Sequence, residues 1–516
     1  MVIGGAPRPP DDPPNSRQPS RAPAMEPAHL LGDPGPWDGG GAGLRDAAGS
    51  AKVRAERGGP MSAIGRIAEF TVKTTLDDCP PQALDAVRRA TLDSLGVMLA
   101  GASEPAARIV REMLRTEGAT PLCTVVGSSL RTSPASAALA NGTAGHAHDF
   151  DDTSFALMGH PSVPLLAALL ACAEAEAADG RAVALGYVIG FEVSATLGTA
   201  LNPAHYQRGW HATISIGTLG CAAAAARVIG LDPAQTGHAL GIAASLASGL
   251  KENFGTMTKP YHAGQAALNG VRAALLAREG LTASDRALDG PQGYLAALGD
   301  IAARDRLPTA LDGLGRQWHV VGTRVAVKPY PSCALTHSAI DALLDLRRAH
   351  GITPEQVAAV EVGVNRVTPG VLIHAAPSSG LERKFSMQFC AAAALAQGRV
   401  DFASFEDGEI DPATRALMAR VTMVVDEALP ERLEEHAWSR VTVRLADGRV
   451  LASPPRGAAG HPDRPLSDEA LRAKFIACAT AVLPPGEAEG VAEQLGHLED
   501  IPDIRLLTSR LAGGAD

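Results

Sequence analysis

The chain has 516 residues, with 46 Lys and Arg against 56 Asp and Glu and a net charge of -10. That is ample material for a large core, and no basic run tracks a phosphate backbone, so nucleic acid is not an expected partner. Its seven cysteines, at 79, 123, 172, 221, 333, 390 and 478, form no C-x-x-C pair and read as reduced, buried thiols in a cytoplasmic protein.

Residues 1–60 hold 11 Pro and 11 Gly with no sustained apolar periodicity, so a disordered tail is expected. It lacks an apolar signal core, and its seven basic residues are matched by seven acidic ones, unlike a mitochondrial presequence. Starting the chain at Met61 should leave fold and stability unchanged. From 61 to 321 the pattern is helical. "AVRRATLDSLGVMLAGA" aligns Val87, Thr91, Leu95 and Met98 on one stripe and closes at Gly101. Only "LCTVVG" at 122–127 reads as a strand before residue 320.

Two uncharged stretches, 154–173 and 209–226, raise the question of a membrane. Both contain His, the first is broken by Pro161 and Pro164, and the second is rich in Ala, Gly and Thr. Neither has the apolar density that drives insertion, so both are expected as buried helices, with no membrane partner. Between 322 and 457 the character changes. "QVAAVEVGVNRV" alternates Val360, Val362 and Val364 with polar neighbours, and "SRVTVRLADGRVLA" reads as two strands about Asp447–Gly448. Helical runs such as "ALTHSAIDALLDLRRAH" lie between them, and residues 458–516 return to helix. The expected fold is mainly α: a large all-helical domain (61–321, rejoined by 458–516) with a smaller α+β domain (322–457) inserted.

The chemistry concentrates in "NGTAGHAHDFDDT", which packs His146, His148, Asp149, Asp151 and Asp152 into seven positions. His148 and Asp152 are i,i+4, and His146 and Asp149 are i,i+3, so each pair would share a helix face. A metal site, a proton-transfer site and a solvated polar helix end are all compatible with that spacing. Further along come His160 in "MGHPS", His211 in "RGWHAT", Lys259 and His262 in "TMTKPYHAGQAALNG", and Lys328 and His337 in "RVAVKPYPSCALTH". Pro260 disfavours helical geometry at Lys259, which places that residue at a break between helices. Two lysines, several histidines and an aspartate without thiolates suit an anionic small molecule: ammonium groups hold carboxylates and imidazoles move protons. No dinucleotide, triphosphate or nucleophile-elbow signature is present.

"GHAHDFDDTSFALMGHPSVPLLAALLACAE", "RGWHATISIGTLGCAAAAARVIGLDPAQTGHALGIAASLASGL", "MTKPYHAGQAALNGVRAALLAREGLT", "VGTRVAVKPYPSCALTHSAIDALL", "KFSMQF" and "PLSDEALRAKF" together resemble the MmgE/PrpD family. That family includes 2-methylcitrate dehydratases, cis-aconitate decarboxylases and iminodisuccinate epimerases. The resemblance runs from about Met61 to the end. It implies a helical domain with an α+β lid, an active-site cleft between them, a homodimer, and no metal, iron–sulfur cluster or other cofactor. Asp149, Thr153, His160, His211, Lys259 and Lys328 match the family's functional positions, and His262 stands beside Lys259 as a further substrate-binding candidate. Phe389 replaces the tyrosine of the family's decarboxylases, which weighs against decarboxylation.

The resulting expectation is a lyase of the hydro-lyase type acting on a small di- or tricarboxylate by α-proton abstraction and elimination of water. Lys259 and Lys328 would neutralise the carboxylate, His160 and His211 would act as base and acid, Asp149 would tune a histidine and Thr153 would bind substrate. Epimerisation and cis-aconitate-type decarboxylation are the alternatives. A non-catalytic carboxylate binder is the remote one, because a binder needs no proton carriers.

Overall fold

The structure, a computed structural model, describes residues 61–321, 325–430 and 437–513. The expectations for residues 1–60, and for the start of the α+β segment at 322–324, lie outside them. Helix exceeds strand by 57% to 9%, so the protein is mainly α, as its sequence pattern implies.

The helical part is built from small residues packed backbone to backbone. Helix Gln82–Gly101 buries Val87, Thr91, Leu95 and Met98, the stripe expected of it. At its end a Cβ on Gly101 would lie 2.0 Å from Ala144 O, so only glycine lets the helix cross Pro134–His146 there. The first uncharged stretch forms Ser162–Glu176, buried from Ser162 to Glu174, and the second forms Ala212–Ser215 and Gly217–Val228. Between them in the chain runs Gly180–Leu201. It is long and apolar enough to cross a membrane, yet 89% of its apolar window is buried in the protein. Gly186 and Gly190 admit Leu169 and Leu165 against its backbone, each within 2.5 Å of where a Cβ would sit.

Two helices at the centre carry the chemistry: Pro134–His146 and Thr258–Arg278. They touch where Gly142 faces Gly264. A Cβ on Gly264 would fall 2.2 Å from Leu139 O and 2.4 Å from Thr143 Oγ1. Lys259 is therefore not at a break between helices. It lies in the first turn of Thr258–Arg278, where Pro260 is tolerated because the first backbone N–H groups of a helix have no intrahelical acceptor.

The valine alternation forms the strand Val357–Val364, in a sheet ordered Val421–Val425, Val357–Val364, Ser439–Leu445, Val450–Arg456. The first pairing is parallel and the other two antiparallel; the last is the hairpin about Asp447–Gly448, with Gly448 at φ 89°. Helices Ala334–His350 and Met387–Gln397 contribute to a core with this sheet that includes Val360, Val362, Leu343, Phe389 and Val441. Near the C-terminus, helix Asp468–Ala479 returns to Gln82–Gly101, with Phe475 against Gly96. A two-residue pairing, Thr153–Ser154 with Val325–Ala326, ties the turn after Pro134–His146 to the segment leading into Lys328.

Candidate active site

Pro134–His146 stops at His146, so the expected pairings along one helix face do not form. The chain turns instead, with Asp149 in the left-handed region at φ 51°. His146 then meets Asp151, its Nδ1 lying 2.8 and 2.9 Å from the two carboxylate oxygens. Asp152 points away and accepts hydrogen bonds from the Ser162 hydroxyl and backbone N–H. After the short strand, the bridge between Ser154 and Gly159 brings His160 back over the turn. Gly159 has no room for a side chain: a Cβ would lie 2.9 Å from Thr213 N. His160 N donates to Thr213 Oγ1 at 3.0 Å, while His211, just before Ala212–Ser215, donates its backbone N–H to Gly249 O at 3.1 Å.

These elements converge on Asp149. Its Oδ1 accepts from Lys259 Nζ and Lys328 Nζ, both at 2.8 Å, and Lys328 also donates to Asp149 O at 2.7 Å. Lys259 Nζ donates to His146 Nε2 at 3.0 Å, so His146 holds its own proton on Nδ1, toward Asp151. His160 lies 3.2 Å from Asp151 Oδ2 through Nδ1 and 3.5 Å from Asp149 Oδ1 through Nε2. All of these side chains are buried.

Burial opposes ionisation of Asp149, but the Lys259 and Lys328 ammoniums outweigh it and hold the carboxyl well below its usual range. Asp151 is likewise held low by His146 and His160. The imidazoles go the other way. Burial pushes His146 down to about 3, and lowers His160 despite the pull of Asp151. His211 falls well below its ordinary value from burial, with Lys259 and the neighbouring histidines adding to it. The imidazoles are thus neutral at pH 7, and two ammoniums balance two carboxylates.

Asp149, Thr153, His160, His211, Lys259 and Lys328 all line one cavity of about 110 Å³. Much of its remaining wall is apolar: Phe155, Met158, Phe254, Leu335, Val367, Val371 and Phe385. Thr153 Oγ1 and Asp149 Oδ2 are buried and without a hydrogen-bond partner among the described residues. His262 does not belong with the substrate-binding group. It stands behind His211, Nδ1 to Nδ1 at 3.0 Å, and does not line the cavity. His337 is a core residue, with Nε2 3.1 Å from Ser332 O. Phe389 is also away from the cavity, buried against Phe405 and the Arg383 guanidinium, so the missing tyrosine carries no argument about the reaction.

Sequence reading gave no role to His146 or Asp151, although both stand in "NGTAGHAHDFDDT". Their pairing depends on the turn at Asp149, which spacing does not reveal. His146, Asp149, Asp151 and His160 offer ligand atoms within 4.8 Å of one another, a set that could hold a metal ion. The Lys259 ammonium, however, already bridges His146 Nε2 and Asp149 Oδ1, where a cation would compete with it.

A mainly helical protein with two lysines, an aspartate and paired imidazoles around one cavity is the setting in which sequence comparison becomes specific. Residues 65–304 match the MmgE/PrpD N-terminal domain and residues 330–500 the MmgE/PrpD C-terminal domain. The chain belongs to the MmgE/PrpD family. It is 32% identical over 438 residues to a cis-aconitate decarboxylase of Mus musculus, covering 83% of this chain and 88% of that one. The Homo sapiens cis-aconitate decarboxylase is 31% identical over 441 residues (83% and 89%), and the Aspergillus terreus enzyme 24% over 485 residues (89% and 98%). These relatives are enzymes of the lyase type.

Proposed function

We propose that the protein is a cofactor-independent lyase that decarboxylates cis-aconitate or a close unsaturated tricarboxylate. The observation that carries this reading is the composition of the cavity: two ammoniums and two imidazoles share it with a wall of Phe254, Leu335, Val367, Val371 and Phe385. The relatives' activity supports the substrate class. In this reaction the C–C bond to the carboxylate on the CH2 group breaks and CO2 leaves. The bonding pair forms a new C=C bond to the central carbon, and the old double bond delivers its pair to the neighbouring CH. That carbon takes up one proton, so cis-aconitate and H+ give methylenesuccinate and CO2.

The apolar wall favours loss of the carboxylate, because a desolvated anion gains most by becoming neutral CO2. Lys259 and Lys328 hold the carboxylate next to the carbon where charge develops, and their attraction strengthens as it does. His160 supplies the proton. It stands beside Asp151 and Asp149, so an arriving trianion tips it to imidazolium, whereas the charged and titratable groups acting on His211 are Lys259 and imidazoles, and it stays a neutral hydrogen-bond donor. Asp149 holds the two ammoniums at a fixed separation, and Thr153 donates to a substrate carboxylate. The inserted α+β segment acts as a lid that contributes Leu335, Val367, Val371 and Phe385 to the apolar wall. The enzyme works without metal as a cytoplasmic homodimer, in keeping with its seven unbridged cysteines.

One observation favours a second reading, hydration–dehydration: the unpartnered Thr153 hydroxyl suits a substrate hydroxyl as well as a carboxylate. Incubating the purified chain with cis-aconitate in D2O and following it by NMR separates the two. The expected result is methylenesuccinate carrying one solvent deuteron on its saturated carbon. A hydroxylated tricarboxylate would establish the hydro-lyase instead, exchange without change of skeleton would show proton abstraction without decarboxylation, and an unchanged substrate would remove the reading.

A further inference from the structure

Three consecutive carbonyls in the turn that bears Asp149 are each held by a different lysine, Lys328 and Lys384 buried and Lys474 with a side chain 7% exposed. Lys384 Nζ donates to His148 O at 2.9 Å, Lys328 Nζ to Asp149 O at 2.7 Å, and Lys474 Nζ to Phe150 O at 2.7 Å. The lysines come from separate parts of the chain: Lys328 after the Val325–Ala326 strand, Lys384 before helix Met387–Gln397, and Lys474 within Asp468–Ala479. Lys328 reaches the cavity, but Lys384 and Lys474 do not.

Withdrawing an ammonium from water costs several kcal/mol after relaxation, so Lys384, which faces a second cavity beside Glu104, and Lys474, largely shielded, need a reason to be where they are. Each has a counterpart that makes burial tolerable. Lys474 lies 2.6 Å from Asp93 and 3.8 Å from the centre of the Phe150 ring. Lys384 lies 4.8 Å from the centre of the Phe405 ring and donates to Pro331 O at 2.9 Å, as well as to His148 O. Pro331 follows Lys328 by three residues, so one ammonium joins the segment of Lys328 to the turn of Asp149. Asp149 itself is held in a left-handed conformation that a non-glycine residue adopts at a cost, and such a residue persists where its surroundings over-determine it.

We infer that Lys384 and Lys474 are positioning residues: by anchoring the carbonyls on either side of Asp149, they set its carboxylate between Lys259 and Lys328. This rests on the proposed function for its catalytic meaning, but its geometry can be tested without substrate. Two variants of the full chain serve. Lys384→Met keeps the stem against Phe405 and deletes the ammonium. Asp93→Asn/Lys474→Met removes the second clamp while leaving no unpaired buried carboxylate, so it tests positioning even where a single Lys474 variant fails to fold.

The first readout is the imidazole 15N NMR of the histidine-labelled, ligand-free protein at pH 7. The His146 and His160 signals report directly on Asp151, Lys259 and Asp149, and they should move in both folded variants. The second is turnover of cis-aconitate, where kcat should fall about 10- to 100-fold with a smaller change in KM. Unmoved His146 and His160 signals, or kcat within about 2-fold of wild type in both folded variants, would overturn the assignment. Wild-type protein inert toward cis-aconitate would instead count against the proposed reaction, and the NMR readout would still decide the role of the two lysines.

Discussion

Lys259→Met is the most discriminating single substitution. It keeps the stem that packs near Phe254 and Phe385, keeps helix propensity at a first-turn position, and deletes only the ammonium. Asp149 retains Lys328 at 2.8 Å, so no buried carboxylate is orphaned. What remains unsatisfied is His146 Nε2, at a cost of about 1–3 kcal/mol. Removing a buried charge offsets part of that, so the variant should fold with a modest fall in Tm. Catalysis should suffer far more. A charge pair about 4 Å apart at an effective dielectric constant of about 20 is worth roughly 4 kcal/mol. If about 2.7 kcal/mol of it is gained only as charge develops, kcat drops about 100-fold, and kcat/KM, which reports the whole interaction, by up to about 1,000-fold. The assay is steady-state turnover of cis-aconitate, or of whichever polycarboxylate the NMR screen identifies, alongside thermal melting. A folded Lys259→Met protein with near-normal turnover would falsify the catalytic role.

Binding of the unreactive tricarboxylate tricarballylate at pH 7.5 should take up about one proton, because His160 is neutral in the ligand-free site and a trianion draws its pKa upward. Calorimetry in buffers of different ionisation enthalpy measures this; a slope of zero would show that no imidazole is recruited, and affinity should weaken as pH rises through the bound-state pKa. Dialysis against EDTA should leave turnover intact, whereas loss on chelation and recovery with a divalent ion would make the His146, Asp149, Asp151, His160 group a metal site. Asp152 lies behind the cavity, raised to about 8 by burial and by the charge of Asp93. Between the unfolded value of 3.8 and about 8 the folded state keeps a proton that the unfolded state has released, so wild-type stability declines with rising pH across that window. Asp152→Asn lacks this penalty and should gain in Tm relative to wild type from pH 5 to pH 8; a constant difference across that range would show that Asp152 titrates normally.

Much of the architecture could be read from periodicity, and the reasons differ by element. The stripe through Val87, Thr91, Leu95 and Met98, the Val360–Val362–Val364 alternation and the Asp447–Gly448 turn each carry local patterns that tertiary packing reinforced. The termination of Pro134–His146 carries none. Ala147 is a good helix former, yet the helix ends before it, and the carbonyls that follow are taken by Lys384, Lys328 and Lys474, some 180 to 320 residues downstream. For the same reason, reading His146 with Asp149 along one face went astray, while four of the residues picked out by recurrence, His160, His211, Lys259 and Lys328, line one cavity with Asp149 and Thr153, which the family resemblance added. The cavity's apolar residues were illegible: Val367, Val371 and Phe385 look like any other core positions until the loop that carries them is placed.

The bare contact between Gly142 and Gly264 sets a limit on how this site can change. The distance from His146 to Lys259 rests on main chain meeting main chain, and no residue is smaller than glycine, so mutation can only widen that spacing and never narrow it. A lineage, or an engineer, seeking a different substrate therefore has one productive direction. The positions free to vary in size are Leu335, Val367 and Val371, since Phe254 and Phe385 pack near Lys259, and a library restricted to those three would remodel what the cavity admits while leaving its acid–base wall untouched.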